Sequence, residues 1–178
     1  RNWSRRAIST SAGIVTEMWV YVAMDAAVRF VVVKLRNASG RSRRLSLTAY
    51  HELVLGEWRH ANLMHVHTET DGPSGLLLAR NPYHRVFSQR VVFASCSESD
   101  AVLCGDRTEF LGRNGSTAAP DALRRVRLSG RTGAGFDPAA LLQTAFALDD
   151  GEEREIVFTL GAARDVDEAR SLRQRYGG

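Results

Sequence analysis

Apolar side chains recur at every second position over most of this chain, and that period restricts it to β-structure. Residues 14–24 alternate in this way with both faces largely apolar, which predicts a strand covered on both sides. Residues 28–36 contain three consecutive valines, as is typical of a buried central strand. Residues 43–55 alternate apolar and polar side chains, which indicates a sheet with one face in solvent. Further strands are predicted over residues 63–70, 76–79, 86–95, 101–104, 139–148 and 155–161.

Helical periodicity is confined to the last residues of the chain. Asp165 followed by Glu168 has the spacing of a capping box, and Val166, Ala169 and Leu172 recur at helical spacing. We therefore predict an all-β fold, an antiparallel β-sandwich with one C-terminal helix. The expected organisation is an irregular or disordered start over residues 1–12, a sandwich domain over 13–164, and the helix over 165–178.

The distribution of charge and hydropathy argues against two classes of partner. The 178 residues carry a formal net charge of +4, but the arginines are spread along the chain instead of forming the basic stripe of a nucleic-acid site. The apolar runs are shorter than the roughly 18 residues of a membrane-spanning helix, and the first residues lack the apolar core of a signal peptide. We expect a soluble chain that contacts neither nucleic acid nor membrane directly.

Histidines offer one candidate metal site. His65 and His67 would point to the same face of a strand and could bind a metal together with His51 or His60. Structural histidines explain the same pair, and no cysteine or carboxylate lies at a supporting spacing. The sequence therefore predicts no cofactor.

Residues 105–116 concentrate charge, glycine and amide side chains between two regions of plain β-pattern. Thr108, Phe110 and Leu111 indicate the end of a strand, after which Gly112 allows the backbone to turn into a loop. Little regular structure is predicted over residues 112–138 beyond one helical turn at 120–125. A loop of this length is usually functional or disordered, and we expect a function.

The acidic and basic side chains of this stretch suit binding better than catalysis. Asp106 and Glu109 lie three positions apart, so in a strand they would point to opposite faces. They would not form the pair of carboxyl groups, about 6.5 to 9.5 Å apart, that inverting glycoside hydrolysis requires. Asp106, Arg107, Arg113 and Asn114 offer donors and acceptors that suit sugar hydroxyls, although Arg107 and Glu109 could instead form a surface ion pair.

The chain resembles the amino-terminal β-sandwich of the inverting disaccharide phosphorylases, glycoside hydrolase family 94, and in particular the phosphorylase-like region of bacterial cyclic β-1,2-glucan synthases. The resemblance is carried by residues 106–116, 78–83, 36–50 and 151–155, and it extends from about residue 13 onward. It implies a supersandwich-like fold in a longer protein whose catalytic acid belongs to a helical (α/α)6 domain. This chain alone should then be inactive, with no catalytic residue.

The same resemblance implies partners and a location. The partners would be a β-glucan oligosaccharide and the (α/α)6 catalytic domain of the same parent chain, with Asp106, Arg107, Arg113 and Asn114 at the rim of the sugar site or at the domain contact. The parent would be anchored in the bacterial inner membrane, with this region on the cytoplasmic side.

Two alternatives follow from the residues. An autonomous carbohydrate-binding module would present an exposed aromatic platform, for which Trp19, Trp58 and Tyr83 are candidates. A pure domain-interaction scaffold would instead expose an apolar surface.

Overall fold

The computed structural model describes residues 4–177 and consists of two packed antiparallel sheets. The strands are β1 Ser4–Ser11, β2 Ile14–Val22, β3 Val28–Asn37, β4 Arg43–Glu52, β5 His67–Asp71, β6 Leu76–Arg80, β7 Val91–Cys96, β8 Val102–Asp106, β9 Pro138–Leu148 and β10 Glu153–Ala163. The helices are α1 Arg59–Asn62, α2 Arg107–Leu111 and α3 Val166–Tyr176, with a 3₁₀ turn at Asp121–Arg124. Among the described residues, no helix has the length and apolarity needed to cross a membrane.

The large sheet has the order β1-β2-β3-β10-β7-β6-β5, and the small sheet has the order β4-β9-β8. Their facing sides form the main hydrophobic core, in which Val33 of β3 and Phe158 of β10 lie in one cluster with Leu142 of β9. β3 lies between β2 and β10, which confirms the central strand predicted from its valines. The all-β antiparallel sandwich with a C-terminal helix is confirmed, and Asp165 caps that helix by accepting from the Glu168 N–H at 2.8 Å.

Both sheets are also covered on part of their outer faces. Helix α3 packs on the large sheet, where Ala169 is fully buried in a cluster with Phe93. The connection formed by residues 107–137 packs on the small sheet, where Phe110 and Leu128 join Leu141 in a third buried cluster. The face of residues 43–55 that was predicted to be exposed to solvent is therefore partly covered.

The irregular start predicted for residues 1–12 is wrong over the described residues. Ser4–Ser11 forms an edge strand paired along its whole length with β2, and the two are joined by a tight turn with positive φ at Ala12 (49°) and Gly13 (79°). Residues 5–12 are exposed, so this strand is held by backbone hydrogen bonds and not by burial. An exposed strand needs no alternation of apolar side chains, and the sequence pattern therefore did not predict it. Residues 1–3 of the predicted start lie outside the described residues.

The two ends of the sandwich differ in their connections. At one end, which we call the turn end, consecutive strands are joined by tight turns, such as 38–42 and 149–152. At the other, which we call the loop end, lie the three long connections, residues 53–66, 81–90 and 107–137. Residues with functional side chains can therefore be displayed together at the loop end without disturbing the ladder hydrogen bonds.

Asn37 ties the turn end together from a fully buried position. Its side-chain N–H groups donate to the carbonyl oxygens of Arg41 at 2.7 Å and Leu148 at 2.8 Å, while its Oδ1 accepts from the N–H of Ser39 at 3.0 Å and from its hydroxyl at 2.7 Å. One side chain thus joins a turn of the large sheet to the end of a strand in the small sheet.

We expect Asn37→Asp to lower the free energy of unfolding by about 3 kcal/mol, because a carboxylate would face two carbonyl oxygens with no hydrogen to donate. Asn114→Asp, an isosteric change at an exposed position, should alter it by less than about 0.5 kcal/mol. Urea unfolding of both variants measures the difference. Equal midpoints for the two variants would contradict this role of Asn37.

Candidate functional site

Asp106 is the last residue of β8 and the N-cap of α2. The end of a strand predicted over Thr108, Phe110 and Leu111 is wrong, because these residues belong to helix α2. The buried Asp106 carboxylate accepts from the Thr108 N–H at 3.0 Å and from the Thr108 hydroxyl at 2.7 Å, which is the geometry of a helix N-cap. Its other oxygen accepts from Arg131 at 3.2 Å. Asp106 is thus occupied in holding the connection, and no sugar can reach it without displacing these contacts.

Arg107 links three segments at the loop end. Its Nε donates to the Tyr50 hydroxyl at 3.1 Å, and its Nη1 donates to the Asp137 carboxylate at 3.1 Å. Arg59 of α1 pairs with the same Asp137 and with Glu52, whose carboxylate lies 3.5 Å from Arg107. The surface pair of Arg107 with Glu109 considered from the sequence is wrong, because partners distant in sequence hold Arg107.

Glu109 is the buried anchor of the connection, with 5% of its surface exposed. Its carboxylate accepts from the N–H of Ser129, from the Ser129 hydroxyl at 2.5 Å and from the Cys104 thiol at 3.1 Å, and it lies 3.7 Å from Arg125. Burial alone would raise the pKa of Glu109, but the hydrogen bonds from Ser129 and Cys104 and the charge of Arg125 outweigh it and lower the pKa. The carboxylate therefore stays ionised and fastens the far part of the connection to α2.

Arg113 and Asn114 follow directly after this anchored helix. Gly112 ends α2 with φ of +83°, which confirms that a glycine is required at this turn, and its N–H donates to the Thr108 carbonyl at 2.8 Å. Both Arg113 and Asn114 are exposed, and neither side chain has a hydrogen bond or ion pair with the described residues. Of the four predicted site residues, Arg113 and Asn114 are exposed, whereas Asp106 and Arg107 are held by contacts within the domain.

The other two long connections also display exposed apolar side chains at the loop end. Trp58 and Tyr83 are 65% and 75% exposed, and the Tyr83 ring lies 4.9 Å from that of His65. An apolar groove of about 570 Å³ lies close to them, lined by side chains that include Phe87. Trp19 is half-buried on the outer face of β2, and β3, β10 and β7 separate this strand from β6, which precedes Tyr83. The three aromatic candidates therefore do not form one platform.

The histidines do not gather into a metal site. No group of three or more His, Cys, Asp or Glu side chains suited to a metal occurs within residues 4–177. His51 instead lies between the sheets, where its Nδ1 is 3.0 Å from Nη2 of Arg29. Burial, followed by the positive charge of Arg29, lowers the pKa of His51 to about 4, so its ring is neutral and accepts from the guanidinium.

This histidine should make the fold sensitive to acid. Between pH 6.5 and about 4 the unfolded chain protonates His51 while the folded chain does not, so stability falls as the pH is lowered through that window. The loss should reach at most about 3 kcal/mol. Urea unfolding across this range should show a shallower loss for His51→Gln than for the unsubstituted chain, and His60→Gln, at an exposed histidine, serves as the control variant. Parallel curves for all three proteins would refute this assignment.

Loss of the Glu109 charge should loosen the connection. In Glu109→Gln the side-chain amide would place N–H groups against the Ser129 and Cys104 donors, which face a carboxylate in the unsubstituted chain. We therefore expect roughly tenfold faster hydrogen exchange at the Leu128 and Ser129 amides. The control is Glu57→Gln, an exposed carboxylate at the same end with no hydrogen bond or ion pair within residues 4–177. Exchange rates equal to those of the control would show that Glu109 does not anchor the connection.

Comparison with known proteins places the chain in a family. The chain is 32% identical over 168 residues to the cyclic beta-(1,2)-glucan synthase NdvB of Rhizobium meliloti (strain 1021), covering 94% of the chain and 6% of that protein. It is 25% identical over 170 residues to the cellobionic acid phosphorylase of Neurospora crassa, covering 93% of the chain and 21% of that protein. It is 26% identical over 176 residues to the 3-O-beta-D-glucopyranosyl-beta-D-glucuronide phosphorylase of Paenibacillus borealis, covering 92% of the chain and 22% of that protein.

The chain thus spans from 6% to 22% of the length of these relatives. The family model described as the glycosyl hydrolase 94 supersandwich domain matches residues 6–178, which is nearly the whole sequence. The two-sheet architecture agrees with that description. The chain belongs to the glycosyl hydrolase 94 supersandwich domain family.

Proposed function

We propose that this domain supports the sugar site of a separate helical (α/α)6 catalytic domain in a cyclic β-1,2-glucan synthase-like parent protein. Catalysis, including glucan synthesis and phosphorolysis, would reside in the rest of that parent. Family membership supports the proposal, as do relatives named as a glucan synthase and as phosphorylases that are several times longer than the chain. The parent would be anchored in the bacterial inner membrane, with this domain on the cytoplasmic side.

The observation that carries the proposal is the chemistry of the loop end. Val86 and Phe87 line the 570 Å³ groove at the loop end, and the exposed side chains of Trp58, Met64 and Tyr83 add to the apolar surface of the connections 53–66 and 81–90. Exposed apolar surface of this kind marks a protein contact. The proposed contact is the catalytic domain, because it would cover the apolar side chains and bring the neighbouring polar loop to its sugar site.

Within this proposal the four site residues divide into two roles. Arg113 and Asn114 contact the glucan, since their donors and acceptors are exposed and have no partner within residues 4–177. Asp106 and Arg107 position them, through the α2 cap and the bond to Asp137. The stretch therefore combines a rigid base with two free side chains.

An autonomous carbohydrate-binding module is the second candidate. The exposure of Trp58 and Tyr83 favours it, because aromatic rings open to solvent can stack on sugar rings. In that case the loop end would bind glucan without a catalytic domain.

The test is the kinetics of the longer parent protein that contains this chain. Arg113→Ala combined with Asn114→Ala should raise the KM for linear β-1,2-glucan about tenfold, which corresponds to roughly 1.4 kcal/mol. The kcat should change little, because these side chains bind substrate and do not take part in the chemical step. The matched control is Arg41→Ala, at an exposed arginine of the turn end. An unchanged KM in the double variant would refute the proposed contact with glucan.

A further inference from the structure

A groove on the outer face of the large sheet lies on the opposite side of the sandwich from the connection 107–137. Strand pairing places Tyr21, Phe30, Thr159 and Ser95 in one row across β2, β3, β10 and β7. Helix α3 borders this row and leaves a cavity of about 670 Å³. That volume is within the roughly 300–1,000 Å³ of small-ligand sites.

Aromatic rings form one wall of the groove and are fixed by contacts within the domain. Tyr21 stacks on Phe30 with centroids 5.0 Å apart, and Tyr176 meets the edge of Phe30 at 5.5 Å. The Tyr176 hydroxyl donates to the Asp25 carboxylate at 2.5 Å, and Arg175 pairs with the same carboxylate. The wall is therefore formed before any ligand arrives.

Polar groups complete the groove. Ser95 and Thr159 contribute short hydroxyl side chains from neighbouring strands. Nη1 and Nη2 of Arg173 each donate one hydrogen bond to a backbone carbonyl, at 2.9 and 3.3 Å, so each retains a second N–H. Glu155 is exposed and has no ion pair within residues 4–177. The groove thus offers both donors and acceptors beside an aromatic surface.

We propose that this groove binds a segment of a neutral oligosaccharide, with the Tyr21 and Tyr176 rings against the apolar face of a sugar and Arg173 and Glu155 bonded to its hydroxyls. Arg173 offsets Glu155 and Arg175 offsets Asp25, so the groove favours neither a polyanion nor a polycation. An apolar protein segment would leave Glu155, the Thr159 hydroxyl and the remaining N–H groups of Arg173 without partners, at a cost in desolvation. A sugar satisfies the aromatic and the polar groups together.

The choice of a β-1,2-linked glucan as the sugar rests on the proposed function. The proposal that the groove binds a neutral oligosaccharide does not rest on it, because the groove lies on the other outer face from Arg113 and Asn114 and requires no catalytic domain. Failure of the kinetic test on those two residues would leave the groove standing, and failure of binding in the groove would leave the kinetic test unaffected.

The experiment is an NMR titration of the 178-residue chain with linear β-1,2-glucan, and with cellohexaose as a second neutral glucan. We expect saturable shifts at Tyr21, Thr159 and the Trp19 indole, the last because Trp19 neighbours Tyr21 on the same face of β2. Tyr21→Ala should weaken binding at least about tenfold. Tyr21→Phe keeps the ring and should retain most of the affinity.

Tyr83→Ala is the matched control, since Tyr83 is an exposed tyrosine at the loop end. Binding of cellohexaose with the same pattern of shifts would support a neutral-glucan groove of broad linkage preference. Thr159→Val removes a groove hydroxyl without changing side-chain volume, so weaker binding in this variant would support the groove even if Tyr21→Ala does not fold. Shifts confined to Trp58 and Tyr83, or no shifts with either glucan at millimolar concentration, would overturn the proposal.

Discussion

The pairing of β10 between β3 and β7 is the interaction on which the rest of the structure depends. It joins the first three strands of the large sheet to β5, β6 and β7, and without it these two halves share no ladder. Ile156 and Phe158 of β10 also fill the core between the sheets. Gly161 allows the close fit, because a Cβ there would lie 2.4 Å from the Phe93 ring. The groove and the surface on which α3 packs both depend on this position of β10 in the large sheet.

Local periodicity predicted the strands well, because burial between two sheets imposes a period of two on side chains. It missed β1, whose exposed residues are held by backbone pairing with β2 and by contacts of Arg6 with Glu17 and Trp19. It also missed α2, although Asp106 followed by Glu109 has the same spacing as the capping box recognised at Asp165 and Glu168. The signal was present in the sequence, but the preceding strand pattern favoured the wrong interpretation.

The contacts of the candidate site could not be predicted, since they join residues far apart in the sequence. Arg107 bonds to Tyr50 and Asp137, and Glu109 bonds to Ser129, and no spacing rule relates these positions. The same contacts explain the length of the connection 107–137. Its buried residues cover the outer face of the small sheet, so much of its length serves packing. Length alone is therefore weak evidence of function, and the exposed part after Gly112 carries the functional argument.

The two surfaces proposed to bind glucan differ in how much order they have before binding. The rings of the groove are fixed by stacking and by the bond between Tyr176 and Asp25, so a ligand there gains contacts with little loss of side-chain entropy. Arg113 and Asn114 have no partner within residues 4–177, and ordering two free polar side chains offsets much of what their hydrogen bonds would contribute. A second domain that covers the loop end would supply the missing order. On these two proposals, the groove would bind glucan in the isolated domain because it is preorganised, whereas the loop end would require its partner domain.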